Sequence, residues 1–163
     1  MSKQFGFLVI SVLMFAIVPS CVNERTTQTK NVSVREGVRA MADSLSDDLY
    51  KQGPIAWLNY FDHSSRFFMA SDGKLQFPNY DSAEVLVRHL AQQIKYIQLT
   101  WSDVRVDSLS TNHGLMGASF HEVFTYADNK KSEFGGYFTG LIENTPSGWR
   151  VRDAHWSLIA SHR

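Results

Sequence analysis

The chain has very little cysteine and no surplus of charge of either sign. Cys21 is the only cysteine among 163 residues, and 16 Lys and Arg balance 16 Asp and Glu. A single cysteine excludes an internal disulfide framework and a thiolate metal site. Zero net charge without a long basic run argues against nucleic-acid binding, which depends on clustered Lys and Arg. We therefore expect no nucleic-acid partner.

Several cofactor and catalytic motifs are also missing. The sequence contains no Gly-x-Gly-x-x-Gly, phosphate loop or Gly-x-Ser-x-Gly elbow, so nucleotide cofactors and hydrolases of that kind have no support. Its six histidines are scattered without His-x-His or His-x-x-x-His spacing. We expect neither a cofactor nor a metal ion.

The sequence is instead rich in apolar and aromatic residues. Hydrophobic residues make up 44% and aromatic residues 13% of the chain. This composition excludes a disordered chain, and the length fits one domain with a core. The supply of rings is large enough to line an apolar cavity.

The N-terminus has the features of an export signal. Residues 5–18 form an uncharged apolar run of the length of a signal-peptide core, short for a membrane span. The motif Val18-Pro19-Ser20-Cys21 that follows resembles the lipobox of bacterial lipoproteins. The resemblance implies that residues 1–20 are a signal peptide and that Cys21 is lipidated. The exported protein would contact the membrane only through this lipid, on the periplasmic or outer-surface side of the bacterial cell envelope. The alternative is an ordinary cleaved signal or a membrane anchor.

A polar segment separates this signal from the domain. Residues 21–33 contain almost no large apolar side chain, which predicts a tether. The domain then spans residues 34–163.

Helical periodicity dominates the first part of the domain. A stripe with spacings of three and four predicts an amphipathic helix over residues 34–51, formed by Val34, Val38, Met41, Leu45 and Leu49. Pro54 begins a second, short, apolar helix. Asp72-Gly73 predicts the turn of a hairpin between residues 65–70 and 74–77. Asp81 and Glu84 have capping-box spacing before a third helix over residues 82–93.

Four strands are predicted after that helix. Alternation of apolar and polar residues begins at Tyr96, with a bulge expected near Ser102-Asp103. Three further runs, residues 115–126, 133–143 and 149–157, are separated by short turns, which predicts an antiparallel meander. The order α-α-β-β-α-β-β-β-β is typical of an α+β domain with helices on one face of a curved sheet.

Two segments resemble a known family. Asn59-Tyr60-Phe61-Asp62 and the ending that starts at Gly148-Trp149 and contains His155-Trp156-Ser157 resemble the NTF2-like superfamily, in particular its SnoaL-like and DUF4440-type branch. The resemblance covers about residues 34–160. It implies a cone, in which a bent sheet wraps around a helix and encloses an apolar cavity, and often a homodimer through the outer face of the sheet.

Three residues are candidates for proton transfer. Alternation places Asp153, His155 and Ser157 on one face of the last strand, and the resemblance places that face toward the cavity. His155 could exchange a proton near neutral pH, or it could be a hydrogen-bonded structural histidine. Glu122 shares its face with two phenylalanines, so it is paired, functional or on the solvent face.

Candidate ligand-binding residues are mostly rings. They are Trp57, Tyr60, Phe67, Phe77, Trp101, Phe120, Tyr137 and Trp156, with Ser157 as a polar neighbour. The first functional hypothesis is an envelope-anchored protein that binds a small, largely apolar ligand. The alternatives are an isomerase, dehydratase or cyclase using His155 with Glu122 or Asp153, and a structural dimerisation domain.

Overall fold

The computed structural model describes residues 22–159, with side chains from residue 34 onward. Its elements are α1 (Val22–Gln52), a 3-10 helix (Gly53–Asn59), β1 (Phe68–Ser71), β2 (Lys74–Phe77), α2 (Tyr80–Leu90), β3 (Ile94–Ser108), β4 (His113–Tyr126), β5 (Lys131–Thr145) and β6 (Gly148–Leu158). The predicted element order and the α+β class are confirmed.

The predicted signal peptide (residues 1–20) and Cys21 lie outside the described residues. Within the described part of the chain, no helix combines the length and apolar character that a membrane span requires.

Helix α1 packs its apolar stripe onto β3 and supplies one side of the core. All five predicted stripe residues are buried, with Val38 and Leu49 fully so. The helix begins at Val22, well before its predicted start at Val34, so residues 22–33 are helical. No glycine or proline interrupts them, and polar residues alone do not prevent a helix. Their role as a tether stays a prediction.

The six strands form one curved sheet in the order β2-β1-β6-β5-β4-β3. Strands β3 to β6 are the predicted antiparallel meander, whereas β1 runs parallel to β6. Asp72 and Gly73 both have positive φ angles, 48° and 76°, as the predicted hairpin turn requires. The bulge in β3 is confirmed by a register shift between Ser102 and Arg105.

The start of α2 differs from its prediction. Asn79 is the N-cap: its side chain accepts a hydrogen bond from the Ser82 backbone N–H at 2.9 Å, and its own N–H is donated to Ser82 Oγ. The predicted box of Asp81 and Glu84 is therefore wrong. Asn79 has the extended backbone that an N-cap needs, and Glu84 instead accepts from Arg88 one turn later.

A bulge in β6 decides which of its side chains point inward. Ile142 of β5 pairs with Val151, but the preceding Leu141 pairs with Asp153, so Arg152 is an extra residue on β6. Val151 and Ala154 are consequently both buried. Because side chains alternate along a strand, every β6 residue after Arg152 changes face relative to strict two-residue alternation.

Candidate functional site

A cavity of about 340 Å³ lies between the sheet, the β1–β2 hairpin, α2 and the 3-10 helix. Its size is at the lower end of the range of roughly 300–1,000 Å³ that is typical of small-molecule sites. Its polar lining residues are Ser71, Gln76 and Glu122, and the other twelve are apolar. Leu86 and Leu90, one turn apart on α2, form the wall opposite the sheet.

Glu122 is the one ionisable side chain in this lining. Its same-face neighbours along β4 are Phe120 and Phe124, and its cross-strand partners are Leu99 on β3 and Phe134 on β5. The residue is only 7% exposed, and its Oε1 has no hydrogen-bond partner among the described residues. The sheet therefore holds a carboxyl group in apolar surroundings, which excludes the solvent-face alternative.

Burial raises the pKa of Glu122 to about 7. The cause is desolvation, because low-dielectric surroundings disfavour the charged carboxylate. At neutral pH the group is therefore present in both protonation states. It can accept a hydrogen bond as a carboxylate or donate one as a carboxylic acid.

The structure does not bring the other two proton-transfer candidates into the cavity. Trp156 lines the cavity, whereas its neighbour His155 is exposed and pairs with Thr139 on the other face of the sheet. The expectation that His155 faces the cavity is wrong, because the bulge at Arg152 inverts the alternation. Asp153 shares the outer face and accepts hydrogen bonds from Arg152 at 2.8 and 3.1 Å.

Four of the predicted ligand-binding rings, Trp57, Phe77, Phe120 and Trp156, line the cavity. That they bind a ligand stays a prediction. Trp156 packs edge-on against Phe120, with the ring centroids 4.6 Å apart. Strict alternation had placed Trp156 on the outer face.

The remaining predicted ligand-binding residues lie outside the cavity lining. Tyr60 donates a hydrogen bond to Asp48, and burial together with that bond raises the pKa of its hydroxyl. Phe67 is fully buried and stacked on Phe61, and the Trp101 indole N–H is donated to the Ala42 carbonyl.

Tyr137 and Ser157, also predicted to bind ligand, form a cross-strand pair on the outer face of the sheet. The Ser157 hydroxyl donates to the Tyr137 carbonyl at 3.5 Å, and the Tyr137 side chain is 43% exposed. The bulge at Arg152 explains the outward position of Ser157, as it does that of His155.

Sequence reasoning missed part of the cavity wall. Phe124 and Phe134 contact each other beside Glu122, and Phe124 could have been found because it alternates with Glu122 on β4. Met69, Ser71 and Gln76 come from the hairpin. No sequence signal indicates that this hairpin pairs with β6 and closes one side of the cavity.

Within the described residues, no group of three or more His, Cys, Asp or Glu side chains is arranged to hold a metal ion. Glu122 is the one His, Cys, Asp or Glu side chain in the cavity lining. Proton transfer and hydrogen bonding are therefore the chemistry that the lining itself can supply.

Sequence comparison finds no match to a family model or to a curated protein. Solved structures do match. A scytalone dehydratase-like protein from Novosphingobium aromaticivorans has a TM-score of 0.70 at 10% identity, covering 82% of this chain and 89% of its own. An NTF2-like superfamily protein from Salmonella enterica has a TM-score of 0.62 at 15% identity, covering 84% and 96%.

A third similar structure is a hexachlorocyclohexane dehydrochlorinase, LinA-type3, from Novosphingobium barchaimii. Its TM-score is 0.60 at 9% identity, and the match covers 82% of this chain and 95% of that protein. At such low identity a likeness in structure establishes the fold and leaves the activity open. The chain has the NTF2-like fold.

Proposed function

We propose that this protein binds a small, largely apolar molecule in its cavity, with the Glu122 carboxyl as the polar contact. The observation that carries the proposal is the single ionisable group of the lining, whose Oε1 has no hydrogen-bond partner among residues 34–159, in a cavity otherwise lined almost entirely by apolar side chains. Ligand sites typically combine such walls with a few placed polar groups.

The energetic cost of Glu122 supports this proposal. A buried acceptor without a hydrogen-bond partner costs roughly 1–3 kcal/mol, and more when it is charged. A leucine at this position would fit the surrounding Phe120, Phe124 and Leu99 without that cost. Groups that lower stability in this way are concentrated at functional sites.

A second candidate function is an isomerase, dehydratase or cyclase that uses Glu122 as its only acid or base. The pKa of about 7 favours it, because proton transfer is most efficient when the pKa of the group lies near the working pH. Two similar structures carry the names scytalone dehydratase and dehydrochlorinase. Asp153 and His155 have no role in this proposal, because they lie on the outer face.

We also propose a homodimer through the outer face of the sheet. Leu115 pairs with Leu141 on that face, and Tyr137 is exposed beside them. Exposed apolar side chains on a sheet face are often covered by a second copy of the chain. In analytical ultracentrifugation the full chain should sediment as a dimer. Tyr137→Lys should shift it to monomer. Leu75→Lys, on the exposed hairpin, is the control and should remain a dimer. A monomeric wild-type chain would reject the dimer.

The envelope location belongs to the proposal as well. The apolar run of residues 5–18 and the motif ending in Cys21 support a lipid-anchored protein of the bacterial envelope. Assignment to the SnoaL-like and DUF4440-type branch is supported by the strand that begins at Gly148-Trp149. An alternative role as a structural dimerisation domain alone gains no support, because the cavity is not filled by its own side chains.

Mass spectrometry of molecules retained by the purified chain tests the ligand-binding function. The wild type, isolated from its native cells and extracted with organic solvent, should release a small apolar compound. Leu86→Trp fills the cavity and should release none, while Val85→Trp, at an exposed position of the same helix, is the matched control. Identical extracts from wild type and Leu86→Trp would contradict the proposal.

Hydrogen–deuterium exchange tests the enzymatic alternative. Tetralone, an aromatic ketone with acidic C–H groups, is incubated with the chain in heavy water and followed by NMR. A catalytic Glu122 should accelerate exchange, and Glu122→Gln should lower the rate about 100-fold or more. If the wild type does not accelerate the exchange of the tetralone C–H groups, the enzymatic alternative is rejected and ligand binding is the proposed function.

A further inference from the structure

The cavity contains rings on both sides of the Glu122 carboxyl. Phe124 contacts Trp57 and Phe134, with ring centroids 6.3 and 5.1 Å apart. On the other side, Phe120 packs against Trp156 at 4.6 Å. Phe120 and Phe124 are each two residues from Glu122 on the same face of β4. A ligand that reaches the carboxyl therefore lies between aromatic surfaces, which favour a flat ring over a flexible chain.

The charge of the lining selects against ionic ligands. No Lys, Arg or His is among the lining residues, so an anion would have no counter-charge and would be repelled by the Glu122 carboxylate. An ammonium group carries three N–H donors, but the buried part of the lining supplies only one carboxyl group to accept them. Ligand and site therefore match best when the ligand is uncharged.

The number of polar groups limits the ligand further. Ser71 and Gln76 belong to the hairpin, where Gln76 is exposed, so Glu122 is the one buried polar side chain of the lining. A sugar or other polyol would leave most of its hydroxyls without partners, at a cost of roughly 1–3 kcal/mol for each. A ligand with one donor satisfies the unpartnered acceptor and leaves no polar group of its own unpaired.

We infer that the ligand is an uncharged ring compound with a hydroxyl group, such as a phenol or a cyclic alcohol, that donates its O–H to the Glu122 carboxyl. The inference rests on the proposed ligand-binding function and names the chemical class of its ligand. A hydrogen bond to a carboxylate is stronger than one between neutral groups. The hydroxyl therefore adds both affinity and orientation to the apolar contacts.

Calorimetric titration with three probes of similar shape tests the ligand class. At about pH 8, where Glu122 with its pKa of about 7 is mostly ionised, naphthol should bind the full chain about tenfold more tightly than methoxynaphthalene. Methoxynaphthalene has the same rings without the donor. Naphthoate, an anion, should bind more weakly than both.

Variants connect this preference to one residue. Glu122→Leu should bind naphthol and methoxynaphthalene equally, and Glu122→Gln, which keeps the shape, should show a preference reduced several-fold. Glu133→Gln, on the exposed end of the neighbouring strand, should keep the wild-type preference. If the wild type binds both probes equally, or prefers naphthoate, the inference is overturned while the cavity function stands. If no probe binds, the proposed function fails with it.

Discussion

Glu122 on β4 and Phe134 on β5 are directly paired across the sheet, and both side chains line the same cavity. Phe134 also contacts Phe124, so the two rings lie beside Glu122 on its own strand and on the neighbouring one. These apolar neighbours contribute to the burial that raises the pKa of the carboxyl.

The stability of the domain should fall as pH rises because of Glu122. Its pKa is about 7 in the folded state and near the ordinary 4.5 in the unfolded chain, so the folded state binds the proton more tightly. Stability is therefore highest below the unfolded pKa, decreases between about pH 4.5 and pH 7, and is lower by about 3 kcal/mol above that range. Glu122→Gln should remove this loss.

Urea unfolding at about pH 5 and pH 8 measures the effect. Glu122→Gln should be more stable than wild type at the higher pH and similar at the lower. Glu133→Gln, at an exposed position, should keep the wild-type pH dependence. A wild type whose stability does not decrease over this range would show that the carboxyl is solvated.

Filling the cavity should abolish ligand binding without unfolding the domain. Leu86 is partly buried in the cavity wall, and a tryptophan there has empty space to occupy. Titration with methoxynaphthalene should show no binding to Leu86→Trp and normal binding to Val85→Trp, since Val85 is 73% exposed. Normal binding to both variants would place the ligand elsewhere.

Replacing His155 should leave ligand binding unchanged. The side chain lies on the outer face, and Trp156 takes the inward position next to it. His155→Gln should therefore bind naphthol within about twofold of wild type, because neither a hydrogen bond nor apolar contact is lost. A tenfold weaker affinity, measured by the same titration, would show that β6 has a different register in solution.

Removing the side-chain cap of α2 should lower stability. Asn79→Ala deletes the acceptor for the Ser82 N–H, and losing an N-cap costs about 1 kcal/mol. Asp81→Asn, inside the first turn, should cost less. Chemical unfolding of both variants checks this order, and the reverse order would support the capping box predicted from the sequence.

Lipidation of Cys21 should anchor the mature protein in the envelope. A fatty-acid probe should be incorporated into wild type and not into Cys21→Ala. The variant should also no longer be found in the membrane fraction. Labelling that persists in the variant, or a wild type that is never labelled, would refute the lipid anchor.

Local patterns in the sequence were sufficient for most of the elements. The stripe from Val34 to Leu49 is buried as predicted, since residues three and four apart share a helix face whatever the helix packs against. Asp72 and Gly73 form the predicted turn because glycine, and to a lesser degree aspartate, adopts the positive φ angles that the turn needs. Glu122 was also identified as a candidate, because an acid among phenylalanines is costly in any fold.

Only the tertiary structure decided which side chains share the cavity. Leu141 and Ile142 on β5 pair with Asp153 and Val151, which leaves Arg152 as an extra residue in β6. Trp156 therefore faces the cavity, and His155 lies on the outer face. Phe134 reaches Glu122 through the register between two strands, and the hairpin reaches β6 through a parallel pairing. Contacts between strands depend on register and bulges. Long-range packing sets both, so the residue pattern of a single strand does not reveal them. For this reason the sequence by itself was enough to predict the helices and strands and to identify Glu122 as an unusual carboxyl. Which side chains surround Glu122 in the cavity was decided by the tertiary structure.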